Sequence, residues 1–154
     1  MLAVGTRLPA WMQAGVTEYL RRFDRDLPVR LVAVPAARRS RQRVERCVIQ
    51  AREAVALRAR LPKGAYVVVL DERGQSATTE TLARRLAQWR LTGRPVALLL
   101  GGADGTLPAL RAGADWLWSL SAHTLPHGLA RVVLMEQLYR AWSIERGHPY
   151  HRAG

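Results

Sequence analysis

A single cysteine, Cys47, in 154 residues leaves no intramolecular disulfide and no cysteine-based zinc site. No apolar run approaches the roughly 20 residues that cross a membrane. The longest, Pro95 to Leu100, is the size of a strand. The first residues, MLAVGTRLPAW, lack a charged start followed by a long apolar stretch, so they do not read as a secretory signal and a cytoplasmic location is expected. G-x-x-x-x-G-K-[ST], H-E-x-x-H, G-x-S-x-G and C-x-x-C are all missing, which removes support for P-loop, zincin, α/β-hydrolase and thioredoxin chemistry. Internal repeats and low-complexity linkers are absent too, and the length suits one domain around one core.

Acidic residues are scarce: 12 stand against 24 basic ones, all arginine except Lys63, for a net charge of +12. Such an imbalance favours a polyanionic partner. Its placement is uneven. Residues 38 to 60 hold eight arginines and two glutamates, half of the net charge. A solvated helix face is the ordinary reading of a charge run, but this excess of one sign exceeds what solubility needs and points to nucleic acid. Arg38, Arg39, Arg41 and Arg43 are the candidate phosphate contacts.

What is present alternates. Strand-sized apolar runs at Leu2 to Gly5, Val29 to Val34, Ala65 to Leu70, Val96 to Leu100 and Trp116 to Ser119 are separated by segments of helical period. This predicts an α/β fold: a five-stranded, mostly parallel sheet with helices on both faces. The helices are expected at Trp11 to Phe23, Gln42 to Leu61, Thr79 to Arg90 with Thr78 as its cap, and Leu129 to Arg146. The apolar residues of the last cover too wide an arc for one core face, which suggests a partner subunit.

Two segments after strands could carry chemistry. Gly101-Gly102-Ala103-Asp104-Gly105 follows a buried strand and would let a ligand approach the backbone. It is not a dinucleotide fingerprint: its glycine spacing differs, and Pro108 interrupts the place where a phosphate-binding helix should begin. That disfavours a nucleotide-dependent oxidoreductase. The second segment, Ser119 to Gly128, contains His123 and His127, but Pro126 between them argues against a helix holding both on a metal. No metal is expected. His127 is a candidate general base or ligand contact, or a structurally satisfied loop histidine. The end of the chain, Gly147-His148-Pro149-Tyr150-His151-Arg152, combines groups that stack on bases and contact phosphates.

The segments AVGTRLPAW, TEYLRRF, LLLGGADG, WSLSAHTLPH and LMEQLYRAWSIERGHPYHR, in this order over nearly the whole chain, resemble the RlmH family of SPOUT methyltransferases. The resemblance implies a C-terminal trefoil knot, a homodimer, and methyl transfer from S-adenosylmethionine to N3 of a pseudouridine in 23S ribosomal RNA, on the assembled ribosome. A non-catalytic module of the same fold that binds ribosomal RNA is the alternative. In that likeness Leu70, Gly101, Gly102, Gly105 and Leu120 to Leu125 (Leu120, Ser121, Ala122, His123, Thr124, Leu125) hold the cofactor, mainly through backbone groups. His127 or a water takes the N3 proton, Glu136 and Arg140 position loop or RNA, with Arg140 also an RNA contact, and Tyr150, His151 and Arg152 reach the partner's target site. The chain departs from the family in a later first strand, in His123 where an apolar residue is usual, and in Gly128 where proline commonly follows the histidine.

Overall fold

The computed structural model describes residues 1–38 and 45–152. Strands β1 (Leu2–Val4), β2 (Val32–Val34), β3 (Tyr66–Ser76), β4 (Val96–Leu100) and β5 (Trp116–Ser119) alternate with helices α1 (Ala10–Arg22), α2 (Arg46–Arg58), α3 (Thr79–Thr92), α4 (Pro108–Ala112) and α5 (His127–Glu145). A 3-10 turn over Pro149–Arg152 follows. The strands form one sheet in the order β2-β1-β4-β3-β5, and every neighbouring pair is parallel.

Both faces of the sheet are covered, which is why its central strands read as continuous apolar runs rather than alternating ones. Leu98 and Leu100 of β4 point to the layer of α3 and α5, where they meet Leu82, Leu86, Leu134 and Leu138. Ala97 and Leu99 point the other way, to Ala54 and Leu57 of α2 and Leu110 of α4. α1 completes the first layer by packing along α5. That layer also holds Trp116 and Trp118, stacked at 4.8 Å beside Trp89.

β4 and β5 stand where the sequence puts them. α3 does so too, with the Thr78 hydroxyl accepting from the Thr81 amide at 3.2 Å and Gly93 closing the helix at φ 61°. Other elements differ. β2 is confined to Val32–Val34, α1 is shifted by one residue, and α2 ends at Arg58 while the expected start at 42 lies outside the described residues. β3 continues past Leu70 to Ser76: Leu70 and Gln75 both pair with Trp118, so residues 71–74 bulge out of the ladder. Only glycine fits at 74, because a Cβ there would stand 2.5 Å from the Trp118 carbonyl carbon. Pro108 starts a helix rather than preventing one, since a proline at the first helical position loses no hydrogen bond. His127 is the first residue of α5, not a loop residue ahead of it. Of the wide apolar arc of α5, Leu138, Ala141 and Trp142 are buried within the chain, whereas Leu129, Val132 and Val133 are only half-buried.

Candidate functional site

The C-terminal ends of β4 and β5 and the bulge of β3 open onto a cavity of about 540 Å³, in the range of small-molecule sites. Leu100 ends β4 beneath it, Leu70 is the last residue of β3 before its bulge, and both loops expected from the sequence line it. Gly101, Gly102 and Gly105 line it from one loop; Leu120, Ser121, His123, Thr124 and Leu125 line it from the other, with His127 beyond them. Ala122 belongs to the second loop but is exposed and is not part of the lining.

The glycine loop is a tight turn in which the Gly105 amide donates to the Gly102 carbonyl at 3.0 Å, with Gly105 at φ 78°. A Cβ on Gly101 would meet Thr106 Cγ2 at 2.8 Å and the Gly105 carbonyl at 3.0 Å; one on Gly102 would meet the Glu53 carboxylate at 2.8 Å and Val4 at 3.0 Å. These glycines are therefore demanded by the protein's own packing. A larger residue at 102 would force the loop itself to move.

Five residues that sequence periodicity did not single out fasten this loop. Arg46 Nε and Gln50 Nε2 on α2 donate to the Asp104 carbonyl at 2.8 and 2.7 Å. From the other side Thr106 Oγ1 donates to Asp71 Oδ2 at 2.5 Å, and Arg111 Nη1 stands 3.5 Å from the same oxygen. Asp71 is the first polar residue after the apolar run of β3, and its place at the carboxyl end of a central strand was the one available signal. The next residue on the bulge, Glu72, accepts from Thr124 Oγ1 at 3.2 Å, so β3 is tied to both cavity loops. The second loop is braced internally: Ser119 Oγ donates to the Ser121 carbonyl at 2.8 Å, and the His123 amide donates to Ser121 Oγ at 2.9 Å.

His127 is half-buried at the head of α5, with Pro126 at the cap position. Burial, and secondarily the charge of Arg131 one turn on, push its imidazole below the ordinary value of 6.5. It is neutral at neutral pH. Arg131 is buried, and its Nη2 donates to the carbonyls of Val4 at 2.5 Å and Gly5 at 2.8 Å, just where β1 ends. Gly5 (φ 103°) leaves room for both groups, since its Cβ would stand 3.1 Å from Arg131 Nη2 and 3.6 Å from His127 Nε2.

The end of the chain docks on its own helices. Tyr150 packs edge-on against Tyr139 at 4.9 Å and under Arg140 at 5.0 Å, while its hydroxyl lies 3.0 Å from that of Tyr19 and 3.3 Å from Glu136 Oε1. Arg140 Nε donates to the same Glu136 oxygen at 2.8 Å, so the charged pair grips the tail. His151 and Arg152 complete the 3-10 turn. Arg38 is exposed on the segment entering the basic run, whereas Arg39, Arg41 and Arg43 lie outside the described residues. Three later arginines of the run are used internally: Arg46 as above, Arg58, whose Nη2 donates to the Ala109 carbonyl at 3.2 Å, and Arg60, whose Nη1 donates to the Ala56 carbonyl at 3.0 Å. Among the described residues no group of three or more His, Cys, Asp or Glu could hold a metal ion, and no helix is long and apolar enough to cross a membrane.

The family model described as "Predicted SPOUT methyltransferase" matches residues 1–151, and the chain belongs to that family. Membership implies methylation dependent on S-adenosylmethionine.

Proposed function

We propose that this SPOUT methyltransferase acts on N3 of a pseudouridine in 23S ribosomal RNA, on the assembled ribosome, as a cytoplasmic homodimer with a knotted C-terminal half. The observation that carries the donor is the cavity at the strand ends, where two fastened loops bring backbone polar groups around leucines. Leu70, Leu100, Leu120 and Leu125 suit a flat purine, and the carboxylates of Asp71 and Glu72 in the wall are balanced by Arg46, Arg73 and Arg111. When bound, S-adenosylmethionine supplies an electrophilic methyl group. The chain's task is to hold the nucleotide in line with it and to remove the N3 proton.

His127 is the residue we assign to that proton. It borders the cavity and is neutral at neutral pH, so a lone pair is available, directly or through one water. The imidazole would take the proton from N3 as the donor's methyl passes from sulfur to nitrogen, with S-adenosylhomocysteine as the leaving product, and the imidazolium would return the proton to solvent. Arg38, Arg39, Arg41 and Arg43 supply phosphate contacts, whose strength falls with salt. Tyr150, His151 and Arg152 serve the site of the other subunit. What supports this is distance: Tyr150 meets α5 at Glu136 and Tyr139, nine and twelve residues beyond His127, roughly 13–18 Å along the helix axis. A tail docked there is short of its own cavity but free to serve a neighbouring copy.

Mass mapping of ribosomal RNA from cells with and without the protein tests the reaction. A single methylated pseudouridine that disappears with the protein is expected; an unchanged map overturns the reading. S-adenosylmethionine should raise Tm by mass action while NADH leaves it unchanged.

A further inference from the structure

Between the end of α5 and Tyr150 the Gly147 amide donates to the Ile144 carbonyl at 3.1 Å and the His148 amide to the Ser143 carbonyl at 2.8 Å. Gly147 and Pro149 border a second cavity, of about 580 Å³, between α1, α5 and the tail. The next residue, Tyr150, is held from four directions. Its hydroxyl has one proton, and Glu136, an ion-paired carboxylate, can only accept. The Tyr150 proton therefore goes to Glu136 Oε1, and the Tyr19 hydroxyl must be the donor across the 3.0 Å contact. The line continues away from the tail: Gln137 Nε2 donates to Glu136 Oε2 at 2.7 Å, and Thr79 Oγ1 donates to Gln137 Oε1 at 2.9 Å. One chain of hydrogen bonds thus links α3, α5, the tail and α1, and Tyr19 is its terminal donor.

We propose that Tyr19 is a positioning residue for methyl transfer: from α1 it fixes the hydroxyl of Tyr150, and so the place of the 3-10 turn that carries His151 and Arg152. The inference rests on the functional reading above, in which that tail completes a neighbouring site. Tyr19 itself touches neither cavity loop. Burial, with the negative charge of Glu136 beside it, raises the Tyr150 phenol well above its ordinary value, so the donor order persists across the working pH range.

Tyr19→Phe is the test, because it keeps the ring packed on Tyr139 (6.3 Å) and removes only the oxygen. The readouts are amide hydrogen exchange at residues 148–152, kcat and KM on ribosomes lacking the methyl group, and the Tm shift given by S-adenosylmethionine. We expect exchange to quicken and kcat to fall, each by about three- to tenfold, the effect of one hydrogen bond, with the cofactor shift unchanged. In a Tyr150→Phe background, where the acceptor is already gone, Tyr19→Phe should change neither quantity further. Unchanged exchange, faster exchange with unaltered kcat, or an equal loss of kcat in the Tyr150→Phe background would each overturn the proposal. A wild-type protein that methylates no RNA defeats the functional reading instead, and the exchange arm still decides whether Tyr19 holds the tail.

Discussion

Replacing Arg131 by methionine separates two consequences of one buried charge. Arg131 spends Nη2 on the carbonyls of Val4 and Gly5, and no carboxylate among the described residues pairs with it. Two bonds from a charged donor are worth about 1.5–3 kcal/mol each, whereas replacing a buried ion by an apolar group of similar length returns roughly 1–4 kcal/mol. The difference is a destabilisation of about 2 kcal/mol, or some 4–8 °C in Tm for a chain of this size. The second consequence falls on His127. Burial remains its larger cause of depression, but loss of the positive neighbour should let its pKa rise part of the way towards 6.5. A histidine depressed on folding adds stability that is fully present above 6.5 and is lost as pH falls through the folded value. The variant should lose less stability over that interval, and the acid limb of methyl transfer should move to higher pH. Urea unfolding between pH 5 and 8 and NMR titration of the His127 ring measure both effects. A His127 pKa that stays put or falls, or a variant more stable than the parent at pH 7, refutes the reasoning.

Gly102→Ala should cost about 1–3 kcal/mol, the usual penalty of overpacking, because the new Cβ meets Glu53 and Val4 at 2.8–3.0 Å; thermal unfolding checks this, and the Tm shift from S-adenosylmethionine should shrink with it. Neutralising Arg38, Arg39, Arg41 and Arg43 should flatten the salt dependence of ribosome binding by about 0.7–0.9 log units per lost phosphate contact, with cofactor affinity unmoved; an unaltered slope returns the run to a solvated face. Chains cut after Gly147, mixed with chains carrying a lesion in the glycine loop, should recover part of the methyl transfer if each tail serves the other subunit. Background activity with heterodimers demonstrably present rules that arrangement out.

Local pattern carried most of the architecture. The run Val96 to Leu100 marked a strand buried on both faces, and Thr78 with its hydroxyl cap marked the start of α3. The extension of β3 was hidden because residues 71–76, Asp-Glu-Arg-Gly-Gln-Ser, have neither apolar alternation nor β-branched content; Gln75 and Ser76 pair again after the bulge because Gly74 lets the chain lie against the backbone of β5. α4 was hidden for a different reason. A five-residue helix has too few positions to show a period, and its proline reads as a breaker unless the first position is already known.

The loops of the candidate site were legible because glycine and strand ends are local signals, but the contacts that give those loops a shape join distant residues. Thr106 reaches Asp71 across 35 positions, Arg131 reaches Val4 across 127, and Tyr19 reaches Tyr150 across 131. No periodicity relates such pairs. The same limit explains why the reason first attached to the glycines was incomplete. From sequence, three glycines after a strand look like room left for a ligand. In the fold the room at Gly101 and Gly102 is taken up by Thr106, Glu53 and Val4. Any approach of a ligand to this backbone therefore comes from the opposite, cavity-lining side of a loop that the protein has already closed on itself. A loop fastened by Arg46, Gln50 and Thr106 before a ligand arrives has less disorder to lose on binding. Cutting one of those fasteners, as in Thr106→Val, should therefore weaken cofactor binding although that side chain supplies no backbone group to the wall.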